Sequence, residues 1–164
     1  MKALALIGFM GSGKSTVGRL VAERAGVPFR DLDRLIEQAR GMTVAELWDA
    51  EGEPAFRRLE AEMLPDVLEP GAVASLGGGA PLSEANWRVI DELATSVFLD
   101  VPFDLLWRRI GKQTHRPLIR TRSPGEVQAL LESRRPLYAR ATFSVDAGRD
   151  AEQVAEEVLE LWQR

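Results

Sequence analysis

Short apolar runs alternate along this chain with longer stretches in which apolar residues recur every three or four positions. The short runs predict strands at Ala3–Ile7, Val27–Leu32, Ala72–Leu76, Ser96–Asp100 and Thr142–Asp146. The longer stretches predict helices. Lys14–Ala25 is stopped by Gly26, and Asp33–Arg40 is broken at Gly41. Thr43-Val-Ala-Glu46 is a capping box that opens a further helix. Pro54–Leu68 carries a proline in its first turn, and Pro65 is expected to kink it or end it early. Ser83–Leu93, Pro102–Ile110 and Asp150–Trp162 complete the clear cases. Ser123-Pro-Gly-Glu126 combines a cap, a proline at the first helical position and a glutamate at the third, so a helix runs from there to about Arg134. Strands separated by helices imply right-handed crossovers, hence a five-stranded parallel sheet between two helical layers. Residues 1–164 read as one three-layer α/β/α domain, with no linker or repeat.

Ligands on such sheets bind beyond the carboxyl ends of the strands, where this chain concentrates its motifs. Gly8-Phe-Met-Gly-Ser-Gly13-Lys14-Ser15 follows the first strand and fits the phosphate-loop pattern G-x-x-x-x-G-K-[ST]. The glycines let backbone N–H groups turn inward around a phosphate, and the helix that follows adds its positive end. Lys14 then reaches the outer phosphates, and the Ser15 hydroxyl suits Mg²⁺. The chain has no N-K-x-D guanine signature, which favours ATP.

The second strand ends in Asp31-Leu-Asp33. Alternation along extended chain points both carboxylates one way, one toward hydrated Mg²⁺ and the other toward an attacking hydroxyl. Equally, Asp33 can serve only to cap the helix that follows. Arg57 and Glu60 lie three apart on one helix face and by themselves read as a surface ion pair. Gly77-Gly78-Gly79 after the third strand implies close backbone approach by a ligand, since three glycines otherwise carry a large entropic cost. Arg116-Pro-Leu118 sits in the polar, aperiodic stretch Gly111–Arg122, which reads as a lid over a transferring phosphoryl group. The neighbouring His115 is assigned no role. One of Arg134 and Arg135 is expected to face an acceptor, the other solvent or an ion pair.

Composition narrows the class. There is no cysteine among 164 residues, so disulfides and thiolate–metal sites are excluded. A net charge of −4 argues against nucleic acid as partner. No apolar run is long enough for a membrane span, and a cytoplasmic protein is expected. Of 21 basic residues only Lys2, Lys14 and Lys112 are lysines, but base composition accounts for most of that bias. The four tryptophans read first as packing or surface residues, with the acceptor pocket as the alternative for Trp48.

GFMGSGKST at 8–16, DLD at 31–33, FRRLE at 56–60, SLGGGA at 75–80, RPL at 116–118 and RRPLY at 134–138 together resemble the shikimate kinase family, in order and separation, across nearly the whole chain. The resemblance implies a P-loop kinase, with an acceptor-binding helical region at about 33–61 and a lid at about 111–123. It would transfer the γ-phosphoryl group of ATP to shikimate and act as a monomer. It further implies that Gly11, Ser12, Gly13, Lys14, Ser15 and Thr16 hold the nucleotide, with Lys14 on the transferred phosphate. Ser15 and Asp31 would serve Mg²⁺, and Asp33 the shikimate hydroxyls. Arg57 and Arg134 would grip the carboxylate, and Gly78 and Gly79 would offer backbone. Arg116 would be the lid arginine, Arg109 would lie near adenine, and Arg149 matches a second adenine-side arginine more loosely. Kinases for gluconate or a nucleotide are the nearest alternatives, followed by a non-catalytic nucleotide-binding relative. Lys14, Asp33 and the lid arginine argue against the latter.

Overall fold

A computed structural model of the chain describes residues 1–111 and 119–164. Its five strands are β1 (Ala3–Ile7), β2 (Phe29–Asp31), β3 (Val73–Ser75), β4 (Ala94–Asp100) and β5 (Phe143–Asp146). They form one sheet in the order β2-β3-β1-β4-β5, and every pairing is parallel. All five residues of β1 are fully buried. Side chains alternate between the two faces of a strand, so both faces are covered, as a parallel sheet requires.

The helices are α1 (Lys14–Ala25), α2 (Leu32–Arg40), α3 (Val44–Glu51), α4 (Glu53–Val67), α5 (Glu84–Leu93), α6 (Phe103–Ile110), α7 (Pro124–Tyr138) and α8 (Ala151–Trp162). Thr43 and Ser123 each close a capping box as their spacing predicts. Proline behaves differently from expectation. α4 passes through Pro65 to Val67, and α7 continues four residues beyond Arg134, through Pro136. Each proline lies in its helix's last turn, so only that turn has to be held against the lost i→i−4 bond. Buried Leu64 and Val67 in α4, and Tyr138 in α7, anchor the turn that contains it.

The strand order positions the site. The connection leaving β1 travels to β2 at one edge, while that leaving β3 travels to β4 on the other side. Adjacent β1 and β3 therefore send their chains in opposite directions, opening a crevice beyond their carboxyl ends. The phosphate loop follows β1 and the triple glycine follows β3, so the topology brings these two motifs to one crevice.

Leu4 is fully buried and pairs with β3 on one side and β4 on the other. Leu4→Ala is expected to lower unfolding free energy by about 2–5 kcal/mol in denaturant titration. A loss below about 1 kcal/mol would contradict the central place of β1.

Candidate active site

Two clefts meet at the crevice. The first, about 430 Å³, is lined by residues 10–17 of the phosphate loop and by Arg109, Ala147 and Arg149. The second, about 510 Å³, is lined by α2–α4 residues including Trp48, Phe56, Arg57 and Glu60, by Gly77–Gly79 and by Arg134. Met10, Ser15, Asp31, Asp33, Gly77 and Gly78 border both, making one continuous trough.

At the first end, Gly11 and Gly13 have positive φ angles of 78° and 93°, which the turn into α1 requires. A Cβ on Gly11 would also lie 2.4 Å from Ile110 Cγ2. The Lys14 ammonium donates to the carbonyl oxygens of Gly8 at 2.7 Å and Phe9 at 3.0 Å, which folds it back over its own loop. Arg109 Nη1 donates to the Gly11 carbonyl at 2.9 Å. Arg149 borders the cleft from the β5–α8 connection, tied to Glu157 and to the Asp146 carbonyl. Both arginines that the family pattern assigns to adenine thus reach the same cleft.

The two aspartates divide at the end of β2. Asp31, the last strand residue, caps α2 by accepting from the Arg34 amide at 3.3 Å, and its other oxygen accepts from Ser15 Oγ at 2.9 Å. The cap is therefore Asp31, not Asp33. Asp33 lies in the first turn of α2, so strand alternation does not relate the two carboxylates. The helical turn carries Asp33 to the boundary of both clefts, with Oδ1 2.9 Å from the position of a Cβ on Gly77.

Arg57 and Glu60 do form their i,i+3 pair, at 3.0 Å, but Glu60 is 1% exposed. The expected surface pair is an interior one. Its signal was present in the sequence: Phe56, Glu60, Leu64 and Val67 make one buried stripe of α4, and Glu60 stands on it as the single charge. Burial pushes the Glu60 carboxyl up to about 7, against the opposing pull of Arg57. The Arg57 guanidinium rests over the Trp48 and Phe56 rings. It fills the space where Gly79 would carry a side chain, Nη1 lying 2.1 Å from that Cβ position. Trp48, read from sequence as packing or surface, lines the cleft.

Arg134, 5% exposed, enters from α7 across the Phe9 ring, and its Nε and Nη1 have no hydrogen-bond partner. Two free N–H groups on a buried guanidinium can receive an anion. Arg135 turns the other way, to Asp100 and the Val101 carbonyl. Tyr138, which motif reading left without a role, donates to the Gly78 carbonyl at 2.6 Å, and burial raises its phenol further above its ordinary range. Arg116 and His115 lie outside the described residues.

The shikimate kinase family model matches residues 10–163. The chain belongs to the shikimate kinase family. The shikimate kinase of Cereibacter sphaeroides is 43% identical over 162 residues, covering 97% of this chain and 81% of that protein. Among solved structures, the shikimate kinase of Acinetobacter baumannii in complex with shikimate superimposes with a TM-score of 0.93 at 32% identity, over 98% of this chain and 92% of that one. A gluconokinase from Sinorhizobium meliloti, at TM-score 0.60 and 20% identity over 99% and 94% of the two chains, shares the fold. Among the described residues no helix is long and apolar enough to cross a membrane.

The raised Glu60 value in this family member has a stability consequence with a definite sign. Protons bind the folded state more tightly, so the contribution is complete below about pH 4.5 and is lost as pH rises to about 7. The stability difference between wild type and Glu60→Gln is expected to shift by roughly 3 kcal/mol over that window, wild type losing ground as pH rises. Parallel pH profiles in thermal melts would contradict the buried state of this carboxyl.

Proposed function

We propose that this chain transfers the γ-phosphoryl group of ATP to the 3-hydroxyl of shikimate, giving shikimate 3-phosphate and ADP. The observation that carries the reading is the continuous trough. A phosphate cradle forms one end, two cleft arginines the other, and Asp33 lies on the boundary.

The assignment of roles follows the chemistry of each end. The phosphate loop from Gly11 through Thr16 holds the triphosphate, with Lys14 leaving its own carbonyls for the transferred group. Arg109 and Arg149 flank the base. Arg57 and Arg134, whose Nε and Nη1 have no hydrogen-bond partner, hold the acceptor carboxylate, and Gly78 and Gly79 offer backbone beside it. Ser15 Oγ and Asp31, a pair of hard oxygen donors 2.9 Å apart at the cradle, fit Mg²⁺. Among the described residues no group of three or more acidic or histidine side chains forms a cage, which suits an ion held largely by phosphates and water. When bound, the ion neutralises charge on the outer phosphate oxygens.

In the transfer, Asp33 accepts the hydrogen bond of the 3-hydroxyl and its proton as the new O–P bond forms. The bond from the γ-phosphorus to the bridging oxygen breaks in line, so no phospho-enzyme is needed. Arg116, which the family pattern gives as the lid arginine, lies outside the described residues. Cytoplasmic residence and a monomeric state belong to the same proposal and rest on the family likeness.

A coupled ADP-release assay with Mg²⁺·ATP is expected to respond strongly to shikimate and weakly or not at all to gluconate and nucleoside monophosphates. Response only to another acceptor would overturn the substrate. Asp33→Asn should lower kcat by about 10²–10⁴ with ATP binding nearly intact. Wild-type turnover in that variant would remove Asp33 from its role. Arg134→Ala should lower kcat/KM for shikimate by about 30-fold or more; an unchanged value would dismantle the clamp.

A further inference from the structure

Two carboxylates flank one point beneath the glycine loop. A Cβ on Gly77 would lie 2.9 Å from Asp33 Oδ1 and 3.1 Å from Glu60 Oε2. Glu60 is 1% exposed. Its Oε1 accepts from Arg57 Nη1 at 3.0 Å, while Oε2 has no hydrogen-bond partner. The ionisable groups that face it are Arg57 on its own helix, Asp33 on α2, and Arg134 and Tyr138 on α7. Tyr138 stays a neutral phenol.

The charge of this set decides what it can hold. With Glu60 ionised, Arg57 and Arg134 face the carboxylates of Asp33 and Glu60, and Arg57 also pairs with Glu53 at 3.3 Å. An acceptor carboxylate entering between the two arginines adds a further negative charge beside the buried Glu60. A proton on Glu60 removes one negative charge from this set and offsets the one that enters. The incoming anion also competes for the Arg57 guanidinium, which pairs with the Glu60 carboxylate at 3.0 Å. Both effects favour a proton on the bare Oε2 edge.

We infer that the acceptor binds together with one proton, which Glu60 carries while the acceptor's carboxylate occupies the Arg57–Arg134 clamp. The inference rests on the reading of that clamp and deepens it: Glu60 is a positioning residue that sets the charge of the acceptor pocket. Burial already holds this carboxyl at about 7 in the empty site, and the entering anion raises it further. Below pH 6 the proton is in place before the acceptor arrives. Above pH 7 it is taken up from solvent on binding, and affinity falls with rising pH.

Isothermal titration calorimetry of the full chain with shikimate, in two buffers of unlike ionisation enthalpy, reads the linkage directly. At pH 8 the expected uptake is close to one proton per acceptor bound, and at pH 6 about a tenth of that. The dissociation constant should rise about eightfold between pH 7.5 and 8.5. Glu60→Gln should bind with no uptake and a flat pH profile, which a merely structural role would not produce. Binding at pH 8 with the same heat in both buffers overturns the inference while leaving the clamp standing, and so does uptake that persists in Glu60→Gln. The wild-type comparison stands alone if that variant does not fold. The absence of any binding heat at either pH overturns the acceptor reading itself, and this inference with it.

Discussion

Arg57 occupies the space that a side chain at position 79 would fill, and the acceptor end of the trough depends on that exclusion. The guanidinium lies against bare backbone on one side and the Trp48 and Phe56 rings on another. Glu60, one turn along the same helix, fixes its rotamer from within the protein. A methyl group at position 79 would displace the guanidinium outright. The triple glycine is thus a mould for side chains from α2, α4 and α7, and its conformational cost is offset by the contacts it admits.

The two ends of the trough meet where β2 becomes α2. Asp31 is still strand and Asp33 is already helix, and that change of backbone geometry sends neighbouring carboxylates to different tasks. Asp31 is tied to the Ser15 hydroxyl and to the first turn of α2, so its position is set by the nucleotide side. Asp33 stands beside the glycine loop on the acceptor side. A transfer between two ligands needs such a boundary, with little distance between phosphate and hydroxyl and separate control of each. The crevice between β1 and β3, fixed by strand order, supplies the room.

The fold was largely legible. Apolar runs located all five strands, β1 with its bounds unchanged and the others shifted by at most two residues, because strand ends depend on pairing partners that sequence does not display. Helix starts were legible from Thr43 and Ser123, where the cap is a local interaction. The end of α4 was legible to within one residue, whereas α7 runs four residues past Arg134, since tertiary burial holds its last turn against Pro136. At the site, the phosphate loop was legible because its chemistry is local. Asp31 and Asp33 were found but their relation was not, because it depends on where strand yields to helix. Glu60 was taken for a surface residue although its spacing from Phe56 and Leu64 put it on the buried stripe; a charged residue on such a stripe is a signal in itself. The depth of Arg134 and the bond from Tyr138 to Gly78 depend on contacts between distant segments, which no single-sequence pattern carries.

In the proposed reaction one trough holds a triphosphate at the loop after β1 and an acid acceptor under the loop after β3, with Asp33 between them. A crystal structure of the chain with a non-hydrolysable ATP analogue, Mg²⁺ and shikimate tests this arrangement most directly. The shikimate carboxylate is expected between Arg57 and Arg134, and its 3-hydroxyl within about 3 Å of an Asp33 oxygen and facing the γ-phosphate. Shikimate bound with its carboxylate away from both arginines, or with the 3-hydroxyl turned from Asp33, would contradict it.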